Sequence, residues 1–276
     1  MSGMSGVTLR LASAPALRVD LRHLAPASLA GMAPDAVARL PLWHGSEAIT
    51  VGDLFTVHAH AASGNTPSLA FEGDLSRFDR IGWQMAGGSL RVDGNAGDFL
   101  ACGMQAGSLR VSGHAGDFAA AAMAGGEVAI GGNAGDFAAA ALPGDMDGMR
   151  GGTLDIRGDA GDRLGDRMRR GTVLVAGSAG DFAASRMVAG TMAIAGAVGD
   201  HLAYGLRRGT VVLLGTGPRE RATFVRTDSN LDVFWALLAR SLARAGGPFA
   251  PLPALRPRRF VGDVAVDGRG ELLVFE

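Results

Sequence analysis

The chain has 276 residues, of which 47% are apolar and 19% charged, and its formal net charge is −1. This balance is typical of a globular protein with a sizeable core, and it gives no overall electrostatic reason to expect nucleic acid or a membrane surface as a partner. Lysine is absent, which excludes Schiff-base chemistry and a P-loop lysine, and the single cysteine, Cys102, excludes an internal disulfide.

Residues 1–67 carry no repeat and are predicted to form an N-terminal cap segment. No apolar run approaches membrane-spanning length and the start lacks a secretory signal pattern, so we expect a cytoplasmic chain. His58 and His60 lie on one face of a predicted strand, where they could form a pair of metal ligands. A zinc site normally needs three or four protein ligands and no third is visible, so a surface or packing role is favoured and no metal is expected.

A 19-residue repeat dominates residues 68–217. Its units begin at Gly88, Gly107, Gly126, Gly152, Gly171, Gly190 and Gly209, and a degenerate unit begins near Leu69. One spacing is seven residues longer than the others, because of an insertion around Pro143 to Gly151. A fixed period of this kind predicts stacked structural units rather than a unique active site.

Apolar residues alternate with period two after each of these glycines. The second residues are Leu90, Leu109, Val128, Leu154, Val173, Met192 and Val211, and the fourth are Val92, Val111, Ile130, Ile156, Val175, Ile194 and Leu213. Each unit therefore predicts a short strand, and neighbouring strands must pair in register to be stable. We expect an all-β fold, a right-handed parallel β-helix of about seven to eight coils with a C-terminal α-helix and hairpin.

The segment after each strand repeats a Gly-x-Ala-Gly-Asp pattern. Its aspartates are Asp98, Asp117, Asp136, Asp162, Asp181 and Asp200, most of them followed by phenylalanine. A calcium array is one interpretation, but calcium β-rolls use a nine-residue repeat, whereas this repeat has 19 residues and one carboxylate per turn, so acceptance of backbone N–H bonds is favoured. The phenylalanines are predicted to form a stacked hydrophobic file. Sixteen residues after each origin, Met104, Met123, Leu142, Met168, Met187 and Leu206 are predicted to fill the core.

Residues 218–276 are predicted to form a C-terminal extension with one helix within Asp228 to Ala245 and a final hairpin turning at Asp267 and Gly268. The outward strand positions of the last repeats are apolar, namely Leu174, Ala176, Ala193, Ala195, Val212 and Leu214. This face should be covered, either by the predicted helix or by a partner protein.

Arginines are concentrated outside the strands of the later repeats. They are Arg163, Arg167, Arg169, Arg170, Arg186, Arg207 and Arg208. A solvated edge balanced by neighbouring aspartates is one interpretation, and a contact with an anionic group is the other, because arginine holds carboxylates bidentately.

The repeat resembles two known families. Its pattern is Gly-x-x-Gly followed by small residues, then Met-x-x-Gly and Gly-x-Leu-x-Val, and it is most complete in "GDAGDRLG" from Gly158 to Gly165. This pattern is similar to the glutamate synthase C-terminal domain and to the C subunit of formylmethanofuran dehydrogenase. The flanks "GDLFTV" at 52–57, "GDLSRFDRIGWQMAGG" at 73–88 and "RRFVGDVAVDGRGELLVFE" at 258–276 resemble the dehydrogenase family.

The resemblance implies a non-catalytic assembly subunit, and the lysine-free, arginine-rich composition favours the bacterial formyltransferase/hydrolase complex. In that family the complex passes a formyl group from formyl-tetrahydromethanopterin to a methanofuran-like cofactor and hydrolyses it to formate. The resemblance places the cofactor and zinc in partner subunits: an amidohydrolase-like A, a B and a formyltransferase D. It also implies that glutamyl groups of the cofactor could contact the seven arginines, and the alternative is that these arginines meet an acidic surface of another subunit. The alternative is a glutamate-synthase-like domain that serves a separate catalytic chain.

Overall fold

The computed structural model describes residues 6–60, 66–215, 222–229 and 231–275. In chain order its strands are β1 (Gly6–Leu11), β2 (Val19–Asp20), β3 (Pro41–His44), β4 (Glu47–Thr50), β5 (Phe55–His60), β6 (Ser68–Glu72), β7 (Phe78–Asp79), β8 (Ala86–Asp93), β9 (Ala106–Val111), β10 (Glu127–Ile130), β11 (Arg150–Ile156), β12 (Arg170–Val175), β13 (Thr191–Ile194), β14 (Thr210–Leu213), β15 (Val225–Thr227), β16 (Arg258–Gly262) and β17 (Gly270–Val274). The helices are α1 (Pro26–Leu29), α2 (Pro34–Ala38), α3 (Val51–Leu54) and α4 (Asp232–Ala243), with short 3-10 turns at Gly247–Phe249, Leu252–Ala254 and Val264–Val266.

Within the described residues, thirteen strands form one mixed sheet in the order β15-β16-β17-β14-β13-β12-β11-β10-β9-β8-β6-β1-β5. The strands from β17 through β1 pair in parallel, whereas β5 at one edge and β16 and β15 at the other pair antiparallel. A smaller sheet has the order β4-β3-β2-β7. Strands from both chain ends thus extend the sheet that the repeats build.

The predicted pairing register of the repeat is confirmed. Leu90 lies opposite Leu109, and the same position continues through Val128, Leu154, Val173, Met192 and Val211. These side chains are buried, as are those two residues further along each strand. The degenerate unit is β6, in which Leu69 pairs with Leu90. Period-two alternation therefore identified the strands and the face that they bury.

The prediction of a right-handed parallel β-helix is wrong. The described chain instead forms a large mixed sheet in which each repeat supplies one strand. The remainder of each repeat pairs with its neighbour only through single-residue bridges, such as Ala96 with Ala115 and Ala115 with Ala134. In the regular repeats the backbone between bridge and strand turns repeatedly, with left-handed residues such as Phe118 and Ala120, and forms no further strand. The degenerate first repeat adds only the two-residue strand β7 to the smaller sheet. Antiparallel strands at both edges also have no place in a purely parallel architecture.

Methionines fill the core beside the turns. Met104, Met123, Met168, Met187 and Leu206 are fully buried, as predicted. Leu142 is not fully buried, and Met149 takes the core position of its repeat. The extra residues of the insertion therefore lie before Met149. Met149 is three residues before Gly152, the same spacing that Met168 and Met187 have from the glycines that follow them.

The N-terminal segment packs on the first strands of the sheet. Helix α1 contacts β6 and β8, and α2 packs on β5. Helix α3 begins with a capping box in which the Asp53 carboxylate accepts hydrogen bonds from the backbone N–H and the hydroxyl of Thr50. Residues 1–5, the chain near the predicted boundary at 217 and 218, and residue 276 lie outside the described residues.

Helix α4 covers the apolar face of the last repeats. Leu174, Ala193 and Val212 are buried together with Leu273 beneath Trp235, and Ala239, Leu242, Phe249 and Leu252 complete the cluster. The Trp235 indole N–H donates to the Leu255 carbonyl oxygen at 2.7 Å. The predicted helix is therefore the cover, and the predicted hairpin is present as the antiparallel pair β16 and β17.

In the described part of the chain, none of the helices combines the length and the apolar character needed to cross a membrane.

Candidate functional site

The repeated aspartates bind the backbone of the next repeat. The Asp98 carboxylate accepts the Asp117 backbone N–H at 3.1 Å, and Asp117 accepts the Asp136 N–H at 2.8 Å. The same bond recurs from Asp136 to Asp162, from Asp162 to Asp181 and from Asp181 to Asp200. These aspartates form a file along one edge of the stacked turns. Each carboxylate from Asp98 to Asp181 stabilises the corresponding turn of the next repeat. The predicted structural role is confirmed.

A second file of side-chain acceptors runs parallel to the aspartates, and sequence reasoning missed it. The Asn95 side chain accepts the His114 N–H at 2.9 Å, and the His114 ring nitrogen accepts the Asn133 N–H at 2.9 Å. Asn133, Asp159 and Ser178 continue the file with the same bond to the next repeat. The signal was available, because these residues share one register position and all carry an acceptor.

The predicted aromatic file is also present. Phe99, Phe118 and Phe137 stack with ring centroids 5.0 and 4.9 Å apart. Arg163 then replaces an aromatic ring, and its guanidinium lies 5.9 Å from the Phe137 centroid and 4.8 Å from that of Phe182. The first of the seven predicted site arginines is therefore part of this half-buried file, in a cation–π arrangement.

Two more of the predicted arginines hold local structure. Arg186 donates to both carboxylate oxygens of Asp166, at 3.0 and 2.7 Å, and the Ser185 hydroxyl donates to the same buried carboxylate. Arg167 donates to the Asp145 carbonyl oxygen at 2.8 Å and so fastens the insertion to the repeats. Arg163, Arg167 and Arg186 are therefore engaged within the fold and do not line the groove that the other four arginines share.

The remaining four, Arg169, Arg170, Arg207 and Arg208, line one open groove of about 670 Å³. Its other lining residues are Arg150, Asp147, Val188 and Ala189. Sequence reasoning assigned Arg150 to the insertion and missed it as a site residue. The repeat spacing could have identified it, because positions 150, 169, 188 and 207 are spaced by 19 residues and three of them are arginine.

A neighbouring groove of about 670 Å³ shares Arg150 and reaches the core at Cys102. Trp83, Gln84, Gln105 and Asp145 also line it. Burial raises the pKa of the Cys102 thiol to about 12, so the thiol is protonated at neutral pH. A nucleophilic cysteine needs a lowered pKa, and this one is a core residue instead.

A third cavity, of about 460 Å³, lies between strands β9 to β12 and the end of α4. Asp155 lines it, and burial raises the pKa of this carboxyl against the opposing effect of Arg157. Arg157 donates to Asp155 at 2.7 Å and to the Ala245 carbonyl oxygen at 2.9 Å, which ties the helix end to the sheet. The geometry is that of a structural contact between helix and sheet.

Across the described residues, no three histidine, cysteine or acidic side chains are grouped closely enough to hold a metal ion. His58 and His60 are exposed on the edge strand β5. In the arginine groove, Arg170, Arg207 and Arg208 make no ion pair within the described residues, and the chemistry that such a group of guanidinium ions supplies is the binding of anions.

The chain matches a family model, a solved structure and the sequences of known proteins. A family model described as the GXGXG motif matches residues 75–226. A chain in the X-ray crystal structure of the formyltransferase/hydrolase complex (FhcABCD) from Methylorubrum extorquens in complex with methylofuran aligns with a TM-score of 0.89 and 42% identity, covering 98% of this chain and 99% of that one. The C subunit of the formyltransferase/hydrolase complex Fhc of the same organism is 45% identical over 93 residues, 34% of each chain.

A more distant relative is the C subunit of the tungsten-containing formylmethanofuran dehydrogenase 2 of Methanothermobacter wolfeii. It is 30% identical over 101 residues, 36% of this chain and 37% of that protein. These two sequence alignments span about a third of the relatives' length, whereas the structural alignment spans almost the whole chain.

Proposed function

Since the chain belongs to the GXGXG-motif family, and within it to the C subunits of formyltransferase/hydrolase and formylmethanofuran dehydrogenase complexes, we propose that it is a non-catalytic assembly subunit of a formyltransferase/hydrolase complex. The observation that carries this proposal is the match at 42% identity over 98% of the chain to a chain of such a complex.

The complex would transfer a formyl group from formyl-tetrahydromethanopterin to a methanofuran-like cofactor and hydrolyse it to formate. An amidohydrolase-like A subunit, a B subunit and a formyltransferase D subunit would be the partners, and they would hold the cofactor and zinc. The assembly would reside in the cytoplasm.

The internal chemistry of the chain supports an assembly role. The aspartates, the second acceptor file and the Asp166–Arg186 pair are all engaged in holding repeats together. The thiol of Cys102 is buried and protonated at neutral pH. A rigid stack of this kind offers partner subunits a preorganised surface, which lowers the entropic cost of association.

The test is co-expression of the tagged chain with the A, B and D subunits of its source cell, followed by purification and quantitative mass spectrometry. We expect the four chains in a fixed ratio, formyltransferase and hydrolase activity in the assembly, and neither activity in the isolated chain. Without this chain, the other three should fail to form one particle. Recovery of synthase subunits from the source cell in place of A, B and D would contradict the proposal, as would activity of the isolated chain.

A further inference from the structure

The arginine groove carries charge that the fold leaves uncompensated. Among the described residues, Arg170, Arg207 and Arg208 make no ion pair, and Arg169 makes one, with Asp147 at 3.1 Å. The nearby buried carboxylate of Asp166 is occupied by Arg186. Clustered like charges repel one another, so an anionic partner would relieve a cost that the free chain bears.

The charges are arranged in two groups. Arg169 and Arg170 lie on one rung of the stack, and Arg207 and Arg208 lie two rungs further on. Since neighbouring strands are about 4.8 Å apart, the groups are separated by roughly 10 Å. The rung between them presents Val188 and Ala189, which are uncharged.

A single phosphate or carboxylate cannot span such a distance, whereas an extended chain with carboxylates at intervals can. A polyproline II segment advances about 3.1 Å per residue with three residues per turn, so acidic residues at i and i+3 share a side about 9 Å apart. One carboxylate would reach Arg170, beside the Arg169 that Asp147 already holds, and the other would reach Arg207 and Arg208, while the residues between them pass over Val188 and Ala189.

The insertion shows how such a segment docks. Its chain lies along the rim, where Arg167 holds the Asp145 carbonyl oxygen at 2.8 Å, and its Asp147 carboxylate reaches Arg169 at 3.1 Å. A carboxylate on irregular backbone therefore already occupies the end of the groove near Arg150, and the end near Arg207 is open.

We propose that this groove binds an acidic, extended peptide segment of another protein of the complex. The inference rests on the proposed function for the identity of the partner, but the chemistry of the groove is testable on this chain alone. Charge complementarity of this kind contributes to orientation and to the rate of association as well as to affinity.

The first experiment uses the full-length chain and a fluorescein-labelled (Glu-Pro-Pro)4 peptide, with (Gln-Pro-Pro)4 as the uncharged probe. We expect the glutamate peptide to bind and Arg170→Glu with Arg208→Glu to weaken it by roughly tenfold or more, since charge-assisted bonds are lost. Arg39→Glu with Arg240→Glu changes the net charge equally at other exposed sites and should leave binding unchanged. Equal binding to both variants, equal binding of both peptides, or no binding to the native chain would overturn the proposal.

The second experiment places the same two variants in the co-expressed assembly. The groove variant should dissociate from its partners at lower salt than the control variant does, because the contact is electrostatic. A groove variant that assembles normally but loses a carboxylate-bearing cofactor would overturn the proposal in favour of a small-molecule site. Failure of the native chain to assemble with these partners would refute the proposed function and leave the peptide result standing.

Discussion

The aspartate edge and the arginine groove both place charged side chains on successive rungs of the same stack, but their bonds go to different places. Each aspartate from Asp98 to Asp181 accepts a backbone N–H from the next repeat, so the file is satisfied within the chain. Arg170, Arg207 and Arg208 have no such partner among the described residues. A row of charged side chains thus stabilises the fold where the neighbouring repeat hydrogen-bonds to it. Where the neighbouring repeat offers no such bond, the charged side chains can bind another molecule.

Adding a methyl group beside the aspartate edge should reduce the stability of the fold more than adding one elsewhere on the surface. A Cβ at Gly135 would lie 2.2 Å from an Asp117 carboxylate oxygen and 2.9 Å from the Gly116 carbonyl carbon. Gly135→Ala should therefore lower the free energy of unfolding by about 3 kcal/mol in urea titrations, because it breaks the file and strains the turn. Gly144→Ala is the control in the insertion, where a Cβ meets nothing within 4 Å and only the φ of +92° is unfavourable. It should cost about 1 kcal/mol, and equal losses would refute the contrast.

An intermediate effect concerns the core beneath the groove that adjoins the arginines. Burial raises the pKa of Cys102 to about 12, above that of the thiol in the unfolded chain. Its contribution is therefore fully present below about pH 9 and declines as the pH rises toward 12, by at most about 1.4 kcal/mol per pH unit. Unfolding at pH 7.5 and pH 10 should show a loss of about 1 kcal/mol that Cys102→Ala removes. A variant with the native pH dependence would show that the thiol is not the cause.

The smallest effect sharpens the role of the aspartates. Asp136→Ala removes the acceptor of the Asp162 N–H, so it should lower the free energy of unfolding by about 1 kcal/mol. Asp136→Asn keeps an oxygen acceptor and should recover most of that loss. Added calcium should leave the unfolding midpoints of all three proteins unchanged. A calcium-dependent increase confined to the native chain would restore the metal-binding interpretation.

The candidate site was predictable in part. Arg169, Arg170, Arg207 and Arg208 share the groove, but Arg163, Arg167 and Arg186 point to partners that sequence did not identify. A side chain near a turn changes direction with each left-handed residue, so neighbours in sequence separate in space. Arg150 was missed because the path of the insertion hid its register.

The repeat, the pairing register and the buried face of each strand follow from the amino-acid pattern alone, because a fixed period of 19 residues makes the same positions neighbours in every repeat. Three features became clear only from the folded chain: β1 and β17 extend the sheet, the turns of the regular repeats form no further sheet, and α4 covers Leu174 and Val212. These outcomes depend on contacts between segments far apart in the chain, and a local pattern in a short strand or turn does not specify its distant partner.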